Sequence, residues 1–345
     1  MRIVSSETSS IDIRLTEALT TATGGIGDRG GIRLTITTDD ELVGLGETAP
    51  IPGVHGPRLE SIASEIDAWS TNAPNSEVHN ALECLDDKKL TPLARFAIHT
   101  ALIDLISQSA QAPLSQWLRV GAPGVVNVNG LVAETNPGAV HARVIELANA
   151  GVRSVKLKVA AEEPALDVTR IIAASEAGGP AVELRLDANR SWDAETVQRV
   201  VGRVGKHRIS YIEDPTPNLS EYRSIQDTID VPIALDLPIS DDPQTEITRA
   251  NVNVIVVKPA AVGGVDRVMD LSRTLPDTRL VVSSSIDREI ALSAAIHVAA
   301  ALPNNNESHG LAIGSVVRNL PDSLVASGGT LAVPAGLGVF HPELL

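Results

Sequence analysis

Aromatic residues are scarce, with Phe, Trp and Tyr together making up 2% of the 345 residues. So few rings offer no stacking platform for single-stranded nucleic acid, and Ala, Val, Ile and Leu must fill the core. Cysteine is reduced to Cys84. That excludes an internal disulfide, a CxxC pair and a thiolate cluster for zinc or iron-sulfur, and Cys84 itself is expected as a small buried side chain. Positive charge is also short, 28 Lys and Arg standing against 43 Asp and Glu for a formal net charge of -15. This balance opposes attraction to phosphate backbones and anionic membranes, so neither nucleic acid nor a membrane is an expected partner. A small anionic substrate stays possible, because nearby lysines and a bound metal set the potential inside a pocket more than the distant surface does. Long apolar runs are missing as well: the Ala-rich stretch 291–302 is too short to span a bilayer and contains His297, and residues 1–6 lack the apolar core of a signal peptide. The expectation is a soluble, cytoplasmic protein; the sequence does not give its oligomeric state.

What is present falls into two rhythms. Residues 11–15 alternate in polarity and 32–37 are rich in β-branched residues, which reads as strands, with a hairpin turn at Asp39, Asp40 and Glu41. Between them the tract 21–31 carries glycines at 24, 25, 27, 30 and 31 and is expected as a loop, either a linker or a substrate lid. Ala94, Ala97, Ile98, Ala101, Leu102 and Leu105 recur at helical steps. Residues 1–120 are thus expected to form an α+β capping domain. Beyond Gly121 short apolar strands alternate with helices, the pattern of a parallel sheet with right-handed crossovers. Strands are expected at 125–132, 154–159, 182–187, 210–213, 232–236, 254–258, 279–283 and about 310–313. Asp193 is expected to cap a helix striped by Val197, Val200, Val201 and Val204. Eight βα units predict an α/β fold, a modified TIM-type (β/α)8 barrel over 121–320, with 321–345 returning to complete the capping domain.

Five of these strands finish on a charged residue: Lys158, Asp187, Glu213, Asp236 and Lys258, separated by 22 to 29 residues, close to one compact βα unit per step. In a parallel barrel all strand C-termini open at one mouth, where the active site lies. Strand parity makes Lys156 face with Lys158, and Arg185 with Asp187. The order around the ring sets Lys158 and Lys258 on opposite walls with the three carboxylates between them. An all-oxygen site without His or Cys suits Mg2+, or Mn2+. Such a cation would hold a substrate carboxylate and the charge that gathers on it when the α-proton leaves. Either lysine could be the base, since cations nearby favour the neutral amine a base requires. Singly, Asp187 reads as a helix cap, Glu213 as a turn residue and each lysine as a solvated group; their joint order carries the functional reading.

These stretches, Val155-Lys156-Leu157-Lys158, Arg185-Leu186-Asp187-Ala188-Asn189, Ile212-Glu213-Asp214-Pro215, Ala234-Leu235-Asp236, Val257-Lys258-Pro259 with Gly263-Gly264, and Val282-Ser283-Ser284-Ser285, resemble the enolase superfamily. Within it the chain is most similar to the muconate-cycloisomerase subgroup and its o-succinylbenzoate synthase family, from Gly46-Glu47 to residues 334–338. The resemblance implies that Asp187, Glu213 and Asp236 bind Mg2+, that Lys158 is the general base and then acid, and that Lys258 stabilises an enediolate from the other face. It further implies that Lys156, Arg185 and Asn189 support the site. The implied reaction is syn dehydration of 2-succinyl-6-hydroxy-2,4-cyclohexadiene-1-carboxylate to o-succinylbenzoate in menaquinone biosynthesis. N-acylamino-acid racemisation or a muconate-type cycloisomerisation on the same scaffold is the alternative. The seventh strand ends in serines and carries no histidine base, and residues 309–314 hold no Asp-x-Asp of the kind dipeptide epimerases tend to carry. Ser283, Ser284 and Gly310 are candidate contacts to a small-molecule carboxylate. Gly263-Gly264 reads as a turn before a helix, while His55, His99, His207 and His297 read as surface or packing residues.

Overall fold

A computed structural model describes residues 1–341 other than 18, 22–23, 53–55, 57, 87–88, 161–162, 206–208, 241 and 304–305. His55, His207 and the centre of the 49–56 loop therefore lie outside the described residues. The chain begins with β1 (Ile3–Ile13), β2 (Leu19–Thr21), β3 (Gly24–Ile26), β4 (Arg29–Thr38) and β5 (Val43–Thr48). Strands β1, β4 and β5 form an antiparallel sheet in the order β1-β4-β5. Alternation along β4 buries Ile32, Leu34 and Ile36, and the turn to β5 is closed by Thr38 Oγ1 donating to Asp40 at 2.5 Å, with Glu41 at φ +63°. The glycine tract is less of a loop than its composition suggests: β2 pairs with β3, and Gly30 and Gly31 belong to β4. At Gly31 a Cβ would come 2.8 Å from both Ala49 Cβ and Thr48 O, so that glycine permits close packing rather than chain motion.

Helices α1 (Leu59–Asn72), α2 (Val78–Glu83), α3 (Pro92–Ser109) and α4 (Leu114–Leu118) follow. Helix α3 is buried along 92–108, on every face and not only on the stripe that the periodicity marks. Two glycines of β5 let it approach: a Cβ at Gly46 would lie 1.9 Å from Ala97 O, and one at Gly44 would lie 2.3 Å from Ala101 O. A core poor in aromatic rings is thus closed by bringing backbones together. Cys84, expected inside, is exposed: it caps α2, which ends at Glu83, and the buried position there is taken by Leu85.

The second rhythm gives β6 (Val125–Asn127), β7 (Gly130–Val132), α5 (Pro137–Asn149), β8 (Ser154–Lys158), α6 (Pro164–Gly178), β9 (Glu183–Asp187), α7 (Ala194–Val204) and β10 (Ile209–Glu213). It continues with α8 (Tyr222–Ile229), β11 (Ile233–Asp236), α9 (Pro243–Ala250), β12 (Val254–Val257), α10 (Pro259–Val262), α11 (Val265–Thr274), β13 (Arg279–Val282), α12 (Glu289–Ala301) and β14 (Thr330–Ala332). Strands β7 to β13 make one curled parallel sheet of seven in sequential order, a modified TIM-type α/β barrel. Asp193 caps α7 by accepting from Thr196 N at 2.7 Å, and Val197, Val200 and Val201 are buried. Gly263, at φ +89°, ends α10 and Gly264 opens α11, the turn that the glycine pair predicts.

Two expected strands take another form. The stretch 125–132 breaks in two: β6 pairs antiparallel with β14, and β7 alone joins the sheet. The expected eighth strand is reduced to His309 and Gly310, which bridge Val128 on one side and Ser283 on the other and so link the two edges. Their backbone bonds, His309 N to Asn127 O at 2.8 Å and Gly310 N to Val282 O at 2.8 Å, complete the ring without a further strand.

The last described residues dock on α3 and α4. Leu114 N donates to Gly338 O at 2.7 Å and Val339 N to Asp104 Oδ1 at 2.7 Å, while His341 Nε2 meets Asp104 Oδ2 at 2.9 Å. Among the described residues no helix is long and apolar enough to cross a membrane.

Candidate active site

Lys158, Asp187, Glu213 and Asp236 are the last residues of β8, β9, β10 and β11, and Lys258 follows β12 by one residue. Lys158 stands opposite Asp187 in the parallel ladder and Asp187 opposite Glu213, so the side chains emerge at one rim. Lys156 lies among them, its Nζ 2.8 Å from Asp187 Oδ2 and 2.7 Å from Glu213 Oε1. Lys158 Nζ reaches the same Asp187 oxygen at 2.6 Å. Lys258 holds both oxygens of Asp236, Oδ2 at 2.5 Å. Asn189, in the left-handed region at φ +46°, donates Nδ2 and its backbone N to Asp187 Oδ1 at 2.7 and 3.0 Å.

Electrostatics set Asp187 apart from Glu213. Burial opposes ionisation of Asp187, but Lys156 and Lys158 outweigh it and hold its carboxyl below the ordinary range. Burial pushes Glu213 up to about 7, since Lys156 offsets it only in part while Asp187 and Asp236 add repulsion. Lys156 is itself desolvated, yet Asp187, Glu213 and Asp236 together keep it well above an ordinary lysine. Positive charge therefore falls short at Glu213.

Other expected residues sit elsewhere. Arg185 shares a face with Asp187 but not its layer: it donates to Ser308 O, pairs with Glu307 Oε2 at 3.0 Å and lies 5.0 Å from the Tyr211 ring centre. The expectation that it supports Lys158 gives way to a role in the barrel interior one step below. Ser284 Oγ is engaged with Asp287 Oδ2 at 2.8 Å, and Ser283 Oγ lies 3.4 Å from Gly310 O. His99 and His297 are buried in helices, consistent with packing.

Sequence reasoning passed over Asp214, which enters only as part of the stretch Ile212-Glu213-Asp214-Pro215. Its Oδ1 accepts from Tyr222 OH and from Asp236 N, each at 3.1 Å, and its Oδ2 accepts from Arg190 Nε at 2.8 Å. It thereby fixes the end of β11 where Asp236 projects. The available signal is adjacency, a second acid directly after Glu213.

Residues 8–118 match the mandelate racemase / muconate lactonizing enzyme N-terminal domain, and residues 139–339 match the enolase C-terminal domain-like family. The chain belongs to the enolase superfamily. Among its superfamily relatives is the o-succinylbenzoate synthase of Mycolicibacterium smegmatis, 30% identical over 68% of this chain and 75% of that one. The hydrophobic dipeptide epimerase of Enterococcus faecalis is 26% identical over 88% of each chain. A crystal structure of the dipeptide epimerase from Enterococcus faecalis, complexed with Mg and the dipeptide L-Leu-L-Tyr, superposes with a TM-score of 0.88 at 24% identity, covering 98% of this chain and 99% of that one. The superfamily is one of enzymes, and both synthases and epimerases stand near this member of it.

Among the described residues no three His, Cys, Asp or Glu side chains are already arranged around one point, because each carboxylate is engaged by an ammonium. Two features of this superfamily site nevertheless fit a hard cation. The donors are all carboxylate oxygens, and Glu213 Oε2 is buried with no partner among the described residues, an arrangement that a cation would satisfy.

Proposed function

We propose that this enolase-superfamily protein removes the proton α to a substrate carboxylate, and that its reaction is the dehydration of 2-succinyl-6-hydroxy-2,4-cyclohexadiene-1-carboxylate to o-succinylbenzoate. The observation that carries the reading is the placement of two lysines, Lys158 and Lys258, at opposite ends of one row of strand-end carboxylates.

Asp187, Glu213 and Asp236 would hold Mg2+, which when bound supplies Lewis-acid polarisation of the substrate carboxylate. Lys158, as the neutral amine, takes the ring proton at the carbon bearing the carboxylate, and the electron pair moves toward that carboxylate. The resulting ammonium then returns the proton to the hydroxyl leaving the adjacent carbon, so water departs and the ring becomes aromatic. One base suffices because abstraction and protonation occur on the same face. Lys258 stays protonated and stabilises the enediolate charge from the opposite face. Asn189 orients Asp187 through both of its donors, and Asp214 seats Asp236.

Epimerisation of a dipeptide is the second reading, supported by the near-complete overlap with the Enterococcus faecalis epimerase. It needs a partner for the dipeptide's free ammonium. At the eighth position of the ring this chain has His309-Gly310-Leu311-Ala312-Ile313, with no carboxylate, and a Cβ at Gly310 would lie 2.7 Å from Ser283 Oγ. This favours the dehydration.

The experiment follows ultraviolet absorbance of the cyclohexadiene carboxylate with Mg2+ and with EDTA, beside α-deuterium exchange into dipeptides and N-succinylamino acids in D2O. Metal-dependent aromatisation faster than exchange into the amino-acid substrates is expected. Exchange into dipeptides without aromatisation would replace the synthase reading with the epimerase one, and exchange confined to N-succinylamino acids would mark a racemase.

A further inference from the structure

Arg29 opens β4, three residues after β3 ends, and its side chain leaves the amino-terminal sheet. It is buried, and its Nη2 donates to Ser285 O at 2.8 Å and to Ile286 O at 2.6 Å, both in the turn that follows β13. Its Nε and Nη1 are buried with no partner among the described residues. A guanidinium has thus been taken out of water with, among the described residues, part of its hydrogen-bonding capacity unmet, an arrangement that simple packing between units does not require.

The turn that it grips is strained. Ile286 stands at φ +62°, and a β-branched residue in the left-handed region is held only where its surroundings over-determine it. Hydrogen bonds from both sides hold this turn. Asp287 Oδ2 accepts from Ser284 Oγ at 2.8 Å and from Ser285 N at 2.9 Å, Asp287 N donates to Ser284 Oγ at 3.1 Å, and Arg29 fixes the two carbonyls between. The turn lies at the barrel mouth: Ser283 directly follows β13 and bridges Gly310, and β13 pairs with β12, after which Lys258 projects.

We propose that Arg29 is a positioning residue: by clamping Ile286 in its left-handed conformation it sets Ser283 and Ser284 at the mouth, so that docking of the amino-terminal sheet and shaping of the substrate pocket are one event. The catalytic part of this proposal rests on reading the mouth as the site of proton abstraction; the clamp itself does not.

The test is a cycle of Arg29→Met, Ile286→Gly and the double variant, each full length and Mg2+-loaded. Glycine adopts a positive φ without strain and so has no need of the clamp. Arg29→Met is expected to raise KM for the substrate turned over by about tenfold, with a smaller change in kcat. Ile286→Gly alone stays near wild type, and the double variant regains most of the lost KM. Amide hydrogen exchange across 284–287 is expected to quicken in Arg29→Met and to slow again in the double variant. An unchanged KM and unchanged exchange in Arg29→Met, or a loss that glycine does not rescue, would overturn the proposal. If the wild type turns over none of the carboxylates named above, the catalytic reading fails and the exchange arm alone decides the clamp. Should Arg29→Met not fold, Arg29→Lys enters the same cycle, because an ammonium lacks the planar fork that spans two carbonyls.

Discussion

Two lysines two residues apart converge on one oxygen of Asp187, yet their surroundings differ. Lys156 is the more enclosed and touches two buried carboxylates, while Lys158 touches one and is the more open to the mouth. The first is placed to hold the cluster together and the second to meet a substrate. Replacing each therefore separates stability from rate. Lys158→Ala is expected to lower kcat by about 10²–10⁴-fold, the range for loss of a general base, with the urea midpoint little changed. Lys156→Met leaves Asp187 and Glu213 buried without their shared cation and is expected to cost about 3–5 kcal/mol of stability in urea unfolding. Equal loss of stability in the two variants would contradict this division. Arg185 adds a lesson at the same scale. Parity sets it on the face of Asp187, but two residues along a strand is about 6.6 Å, enough to deliver its guanidinium to Glu307 and Ser308 instead of the mouth.

Elements carry a different kind of information. The charged strand ends were legible because a charged residue, of either sign, recurs once per βα unit, and the Asp193 cap and the valine stripe of α7 were legible because both are local. The eighth strand was not, since two bridging residues, His309 and Gly310, have no periodicity to read. Nor was the break of 125–132, where the partner of β6 lies some 200 residues ahead in β14. The role of Gly44 and Gly46 was equally hidden: composition gives a glycine, and only packing shows that α3 backbone lies where its Cβ would be. A carbonyl of a buried helix cannot give way as a side-chain tip can. Gly46→Ala is accordingly expected to destabilise by about 3 kcal/mol, against a far smaller effect at Gly27, whose Cβ would meet nothing within 4 Å. Thermal unfolding of the two variants checks it, and similar melting temperatures would show that β5 and α3 can separate at little cost.

Across the whole molecule, the chain's end is tied to its middle by a buried imidazole. His297 on α12 accepts from Ser115 N through Nδ1 at 3.1 Å and donates through Nε2 to Val339 O at 2.8 Å, so α12, α4 and the returning segment meet on one neutral ring. Protonation would leave Nδ1 donating into a donor. Burial pushes His297 down to about 4 from 6.5, and the Val339 carbonyl offsets this only in part. The unfolded chain therefore takes up the proton first as pH falls. The contribution to stability is complete above pH 6.5, declines between 6.5 and about 4, and declines no further below that. For this residue alone the linkage amounts to roughly 3 kcal/mol across the window. His99, also pushed down to about 4 by burial, acts in the same direction. Urea midpoints measured from pH 7.5 to pH 5 should thus carry a falling contribution from His297, set against a rising one from Glu213, which at about 7 takes up its proton in the folded chain before the unfolded one. In His297→Gln the protein should begin less stable, and its midpoint should fall less, or rise more, with acid than that of the wild type, by close to one proton in slope. Parallel pH profiles for the two would mean that His297 is protonated in the folded state, and that the returning segment is held to α12 by some other contact.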